Sequence, residues 1–327
     1  MINNAEKPQL TIPRVTSSVS LNLFGEISTD KMKLEDWFIV PPFSILNSST
    51  KEWQQKKKKW MLRINDKAQV RQNTLSRCGH EPHTKNWQFM AIKGDTTSIL
   101  DPVMCEIILS WFTNEGFNTL DPFAGDAVFG FCSAYKNRPF TGIELRNEQV
   151  EFNQILIDTH NLNGKYICDD SLNIDNHIED NSMDFIFSCP PYADLEIYSE
   201  LENDLSNMSY DDFFKTIEQI LKKTIKKLKE NRFAVIVMGE VRHKNTGVYL
   251  GVIPKIIQIM CDAGMHYYNE IILQTPIGNL HMRAGAYMSN ARKIGKQHQN
   301  ILVFYKGNPK KIKEHFKSLK NESTDVE

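Results

Sequence analysis

Short apolar runs alternate along the chain with segments whose apolar residues recur every three or four positions. The runs at 119–121, 140–144, 165–171, 184–188, 232–240, within 266–274 and at 300–305 predict seven strands. Between them, helical spacing is clear at 128–135, 150–159 and 210–228, the last with Ile217, Ile220, Leu221, Thr224, Ile225 and Leu228 on one face and lysines 222–229 expected in water. A further helix is expected within 94–112, where a Ser/Thr/Asp-rich start precedes Pro102 in a first turn. Strands alternating with helices predict an α/β chain with a parallel sheet.

Ahead of this pattern, residues 1–30 are polar with little periodicity and read as a loosely ordered arm. Residues 34–62 are denser. Trp37, Trp53 and Trp60 surround a four-lysine run, Lys56 to Lys59, which predicts a short amphipathic helix packed on the main domain with its lysines solvated. Basic residues interleaved with aromatics also suit a nucleic-acid backbone. The expected division is 1–93 as arm and accessory segment, 94–308 as the main domain, and 309–327 as a polar tail.

Composition narrows the class. A chain of 327 residues buries one large core with some remainder, and a net charge of −1 gives no global attraction to a polyanion, so nucleic acid would need a local basic patch. Six scattered cysteines without paired spacing point to free thiols in a reducing cytoplasm. No apolar run approaches the roughly 18 residues that span a bilayer. Cys78, His80 and His83 lie close together but without a second cluster, and read as a polar loop with no metal.

The chemistry concentrates at Thr119-Leu-Asp-Pro-Phe-Ala-Gly-Asp-Ala-Val-Phe-Gly130, a strand, a small-residue turn and a helix start. Ligands of open α/β sheets bind at the carboxyl ends of strands, and Ala124, Gly125 and Ala127 leave room for close approach. Two carboxylates, Asp121 and Asp126, flank the turn, which disfavours a diphosphate and favours a ligand with a positive amino group. S-adenosylmethionine, with ammonium and sulfonium centres, meets both conditions. A second stretch, Asp184-Phe-Ile-Phe-Ser-Cys-Pro-Pro-Tyr192, is a buried strand running into two prolines and a ring.

Asp121-Pro122-Phe123-Ala124-Gly125 and the later Cys189-Pro190-Pro191-Tyr192 together resemble the S-adenosylmethionine-dependent amino methyltransferases of DNA, as found in phages and restriction-modification systems. The resemblance covers roughly 34–306, and the leader at 38–60 is similar to that of phage-encoded members. It implies a Rossmann-like seven-stranded methyltransferase sheet with the last strand antiparallel and an N-terminal accessory segment. It implies cofactor contacts at Asp121, Pro122, Phe123, Ala124 and Gly125, at Glu144 for the ribose, at Asp170 rather than Asp169 for the adenine amino group, and at Thr97 and Ser98 for the methionine part. Helix capping accounts for Thr97 and Ser98 equally well.

By the same resemblance, Cys189 and the Pro190 carbonyl accept the hydrogens of the target amine, Tyr192 stacks on the base, and Pro191 fixes the turn, with Ser188 as an auxiliary acceptor. A base in duplex DNA must be flipped to reach such a site, at a cost of a few kcal/mol that single-stranded substrate avoids. Two positions depart from the family pattern. Cys189 is a weak acceptor, and its place before the proline differs from that of the nucleophile in carbon-5 cytosine methylation. Ala127 stands where glycine is commoner, which a right-handed turn tolerates.

Asp194 and Tyr198 are expected at the base pocket and tilt the target toward cytosine N4 over adenine N6. Two basic loops remain, 241–249 with Arg242, His243 and Lys244, and 276–298 with Arg283, Arg292, Lys293 and Lys296; the second, long for a structureless connection, is the expected phosphate contact. The alternatives are an RNA amino methyltransferase and a DNA-binding protein of the same fold without turnover.

Overall fold

Strands β1 (Ile45–Asn47), β2 (Thr119–Asp121), β3 (Phe140–Glu144), β4 (Gly164–Cys168), β5 (Met183–Ser188), β6 (Leu228–Met238), β7 (Met265–Gln274) and β8 (His298–Lys306) join in one sheet. Its order is β1-β7-β8-β6-β5-β2-β3-β4. The computed structural model describes residues 38–64, 100–192, 199 and 201–317. Residues Phe43–Ser318 form one compact unit; of the other, Met1–Pro42 with Leu319–Glu327, only 38–42 are described.

The seven expected strands are all present, and β8 is antiparallel to both β6 and β7, as the resemblance implied. The eighth is an addition: β1, from the accessory segment, pairs in parallel with β7 through Ile45 and Ile272. Three residues give too short a run for periodicity to show.

The helices among the described residues are α1 (Lys51–Ile64), α2 (Pro102–Phe112), α3 (Val128–Tyr135), α4 (Asn147–Thr159), α5 (Tyr210–Lys227), α6 (Val252–Asp262), α7 (Leu280–Ala291) and the short α8 (Ile312–His315). Asp101 caps α2 by accepting from the amides of Val103 and Met104, with Pro102 in the first turn, so the helix starts later than residue 94. Nearly every α2 residue is buried, with α1 and α3 packed against it. Trp60 is fully buried there, its indole nitrogen donating to Glu106 at 2.8 Å.

The lysine faces differ from expectation. Lys57 bonds Asp101 at 3.0 Å and Lys56 lies 3.7 Å from Glu106, while Lys58 and Lys59 remain exposed. On α5, Lys227 is buried between Asp175 at 2.8 Å and Asp180 at 2.7 Å. Long aliphatic stems let lysines lie along apolar surface and deliver the charge to an acid that only the fold brings near.

The segment 276–298 is not a loop. It contains α7, which ends at Arg292 in a left-handed conformation with φ of 52° and buries none of its residues. Leu280, Ala284, Tyr287, Met288 and Ala291 recur at helical spacing, but Gly285 in mid-helix and the surrounding basic residues favour a loop reading, and none of the apolar positions is buried. No helix among the described residues is long and apolar enough to cross a membrane.

Candidate functional site

β2 has β3 on one side and β5 on the other, so the chain leaves it in opposite directions and a crevice opens at the carboxyl ends. Register places those ends together: Asp121 faces Gly142 two residues short of Glu144, and Leu120 faces Ile186 two residues short of Ser188. A cavity of about 460 Å³ occupies the crevice, lined by the turn 121–126, Glu144, Arg146, Gln149, Asp169, Asp170, Cys189, Pro191 and Tyr192, among others.

The turn is held from both sides. Asp121 accepts from the Phe123 amide at 2.9 Å and from the Ser188 hydroxyl at 3.0 Å. Gly125, with φ of +50°, donates its amide to Glu144 at 3.0 Å, and its carbonyl accepts from Asn153 at 2.9 Å. Gly142 on β3 lets the turn come this close, since a Cβ there would sit 2.8 Å from that of Ala124. Ala127 has φ of −72° and ψ of −6°, the right-handed conformation in which alanine costs nothing.

Burial dominates the electrostatics. It raises the Asp121 carboxyl from an ordinary 3.8 to about 7, outweighing the two hydrogen bonds that favour its charged form. Burial likewise raises Glu144, against the opposing pull of Arg146, whose Nε lies 2.9 Å from Oε1. Asp170 caps a short 3-10 turn through the Leu172 amide and accepts from Asn203 at 2.9 Å. Asp169 is committed to His177 at 2.5 Å and to Asn173 at 2.8 Å. Both aspartates border the crevice, but Asp169 is the more fully engaged.

On the other wall, Cys189 Sγ lies 3.9 Å from the Tyr192 hydroxyl, which accepts from Gln299 at 2.9 Å. The ring lies against Gly239, where a Cβ would come within 3.1 Å of it, and Lys296 is beside the same spot. Pro190 is buried behind this surface. Ser188, which precedes the Cys189-Pro190-Pro191-Tyr192 tetrad, thus ties that tetrad to the 121–126 turn in one hydrogen bond. An acid at each of three successive strand ends, a positive-φ glycine in the turn and a cavity of this size fit an adenosyl group with a cationic amino-acid end.

The structure brings together Asp121 to Gly125, Glu144, Asp170, Ser188, Cys189, Pro191 and Tyr192. Arg283, Arg292 and Lys293 stand apart, on or just after α7. Arg283 bonds Asn279 at 2.7 Å, and the Lys293 ammonium lies against Gly247, so the 241–249 loop meets the segment expected to contact phosphates. That loop folds back on itself through a bridge between Arg242 and Tyr249, with the guanidinium 3.8 Å from the ring centre. Thr97, Ser98, Asp194, Tyr198 and the Cys78, His80, His83 group lie outside the described residues. Sequence reasoning passed over Arg146, Gly239, Gln299 and the pocket wall formed by Gln54, Lys57 and Asp101. The only signal was a glycine at the end of β6, a position that admits a close neighbour.

Residues 183–326 match a family model described as DNA methylase, the N6_N4 methyltransferase type. They span β5 to β8, the half that carries the tetrad. A search of curated proteins found no match. Among solved structures, TrmN from Thermus thermophilus is 13% identical with a TM-score of 0.43, over 63% of this chain and 49% of that one. The chain therefore spans about half of that protein's length. A SAM-dependent methyltransferase from Methanosarcina mazei is 13% identical with a TM-score of 0.42, over 61% and 97%. A methyltransferase from Pyrococcus furiosus is 15% identical with a TM-score of 0.44, over 76% and 98%.

Proposed function

Taking as premise that the chain is a SAM-dependent amino methyltransferase carrying a DNA methylase domain of the N6/N4 type, we propose that it methylates the exocyclic amine of a base flipped out of DNA, with cytosine N4 favoured over adenine N6. The observation that carries this reading is the shared cavity: the tetrad residues Cys189, Pro191 and Tyr192 and the cofactor turn line one space, tied by the Ser188–Asp121 hydrogen bond.

S-adenosylmethionine supplies an electrophilic methyl carbon. Glu144 would hold the ribose hydroxyls with the lone pairs that Gly125 and Arg146 leave available, and Asp170, at the end of the next strand, would take the adenine amino group. Tyr192, fixed by Gln299 and backed by Gly239, offers its ring for stacking. The amine's lone pair is delocalised into the base ring. Acceptors at Cys189 and the Pro190 carbonyl would engage its hydrogens and free the lone pair for methylation. Cys189 is the weaker of the two, which places more of that work on the backbone.

Nucleic acid is met by the rim. Between Glu270 and Glu314 the chain has no acidic residue, and this stretch includes Arg283, Arg292, Lys293 and Lys296. A local basic surface of this kind attracts phosphates although the whole chain is nearly neutral.

Mass spectrometry of nucleosides from DNA incubated with the protein and isotopically labelled S-adenosylmethionine tests the reading, with bulk RNA in parallel. Labelled N4-methylcytosine or N6-methyladenine in DNA is expected and names the base. Label confined to RNA, or none despite cofactor binding, overturns it.

A further inference from the structure

The amino-acid end of S-adenosylmethionine is a zwitterion, and a cation is the strongest single partner its carboxylate can have inside a crevice that is mostly acidic. Among the described residues, seven carboxylates line the crevice against two cations, Arg146 and Lys57. Arg146 is committed at the ribose side, with Nε on Glu144 at 2.9 Å and Nη2 3.3 Å from Gln149. Lys57 comes from α1, outside the strand-end constellation. Its ammonium donates to Asp101 at 3.0 Å and its side chain is 32% exposed.

Asp101 is a well-held anchor. Its Oδ1 receives the Val103 amide at 3.0 Å and the Trp53 indole nitrogen at 3.2 Å, leaving Oδ2 to Lys57. The adjoining Leu100 amide reaches Asp126 of the cofactor turn at 3.4 Å. The turn therefore has two sides: Gly125 leads to Glu144, and Asp126 leads through Leu100 and Asp101 to Lys57. An ammonium carries three donors and Asp101 uses one, so Lys57 can take a second anion while keeping its first.

Deepening the S-adenosylmethionine reading and resting on it, we propose that Lys57 receives the α-carboxylate of the cofactor, with Asp101 as its positioning residue. Helix α1 then forms a wall of the cofactor site, and the burial of Trp53 and Trp60 fixes where that wall stands.

Calorimetric titration of the full chain with S-adenosylmethionine and with methylthioadenosine, which keeps the nucleoside and sulfur but lacks the amino-acid end, tests this on wild type, Lys57→Met and Lys57→Arg. Lys57→Met is expected to weaken S-adenosylmethionine by roughly 10- to 100-fold while methylthioadenosine stays within about two-fold, as befits removal of one charge-assisted hydrogen bond. Lys57→Arg is expected to recover most of the affinity. Equal weakening of both ligands would make Lys57 a structural residue and overturn the inference, as would no weakening of either. Wild-type protein that binds neither ligand overturns the cofactor reading itself, before any variant is measured.

Discussion

The crevice floor and the α7 rim are opposite in almost every physical respect. The floor is buried and acidic, and each of its carboxylates at 121, 144 and 170 is held by at least two hydrogen bonds. The rim is built on α7, which buries no residue, and the chain around it carries no acid from 271 to 313. A small ligand with fixed hydroxyls and one cationic end needs the first kind of surface, because directional bonds in a low-dielectric site discriminate strongly. A long polyanion needs the second, because counterion release rewards charge near the backbone without demanding one geometry.

The largest separation is expected at the wall between them. Tyr192→Ala should reduce methyl transfer by about 100-fold or more, since removing the stacking and the amine's placement together takes several kcal/mol from the transition state. Its affinity for S-adenosylmethionine should stay near wild type, checked by parallel kinetics and titration. Loss of both together would mean that floor and wall are one structural unit. Glu144→Gln should act in the reverse sense, weakening S-adenosylmethionine by roughly 10-fold or more in a direct binding assay through removal of one charge-assisted pair, with nucleic-acid affinity unchanged.

A smaller effect is expected at the rim. Replacing Arg292 and Lys293 with glutamine should lower affinity for duplex DNA and reduce the slope of log affinity against log salt by about one for each phosphate no longer neutralised. Cofactor binding should not move. Fluorescence anisotropy across a salt series would show it, and an unchanged slope would remove these residues from the interface.

Protonation gives the subtlest contrast. Burial holds the Asp121 carboxyl at about 7 instead of 3.8, so folding favours its protonated form. The resulting stability contribution is full below 3.8 and is lost as pH rises through about 7. A cationic cofactor beside Asp121 acts oppositely by favouring the carboxylate. S-adenosylmethionine should therefore bind more tightly as pH rises from about 6 to about 8, with proton release visible in buffers of different ionisation enthalpy. Asp121→Asn should flatten both dependences. Wild-type affinity that does not change over this range would exclude Asp121 as the cofactor's charge partner.

Much of the floor is legible in the linear chain. Its acids lie at the ends of short apolar runs, the turn is made of small residues, and the periods of 128–135 and 210–228 correspond to α3 and α5, except that Leu228 already begins β6. Local geometry dictates these features, so local sequence carries them. The rim is less legible. Helix α7 leaves its apolar positions unburied and carries Gly285 in its middle, and the buried Lys227 reads as solvated until Asp175 and Asp180 are brought beside it. Lys57 is harder still, since its partner Asp101 is separated from it by 44 residues.

What the sequence alone determined was the alternation of strand and helix, the small-residue turn at 121–126, the Cys-Pro-Pro-Tyr stretch and the acid-free run, because each is a short-range pattern that depends on neighbours along the chain. Tertiary structure decided which of these share a cavity. It set Ser188 against Asp121 and Gln299 against Tyr192, added β1 to the sheet edge, and turned α1 into a wall of the crevice. The physical reason is that hydrogen bonds and ion pairs between distant residues depend on strand order and register, which emerge only when the whole sheet buries its faces together.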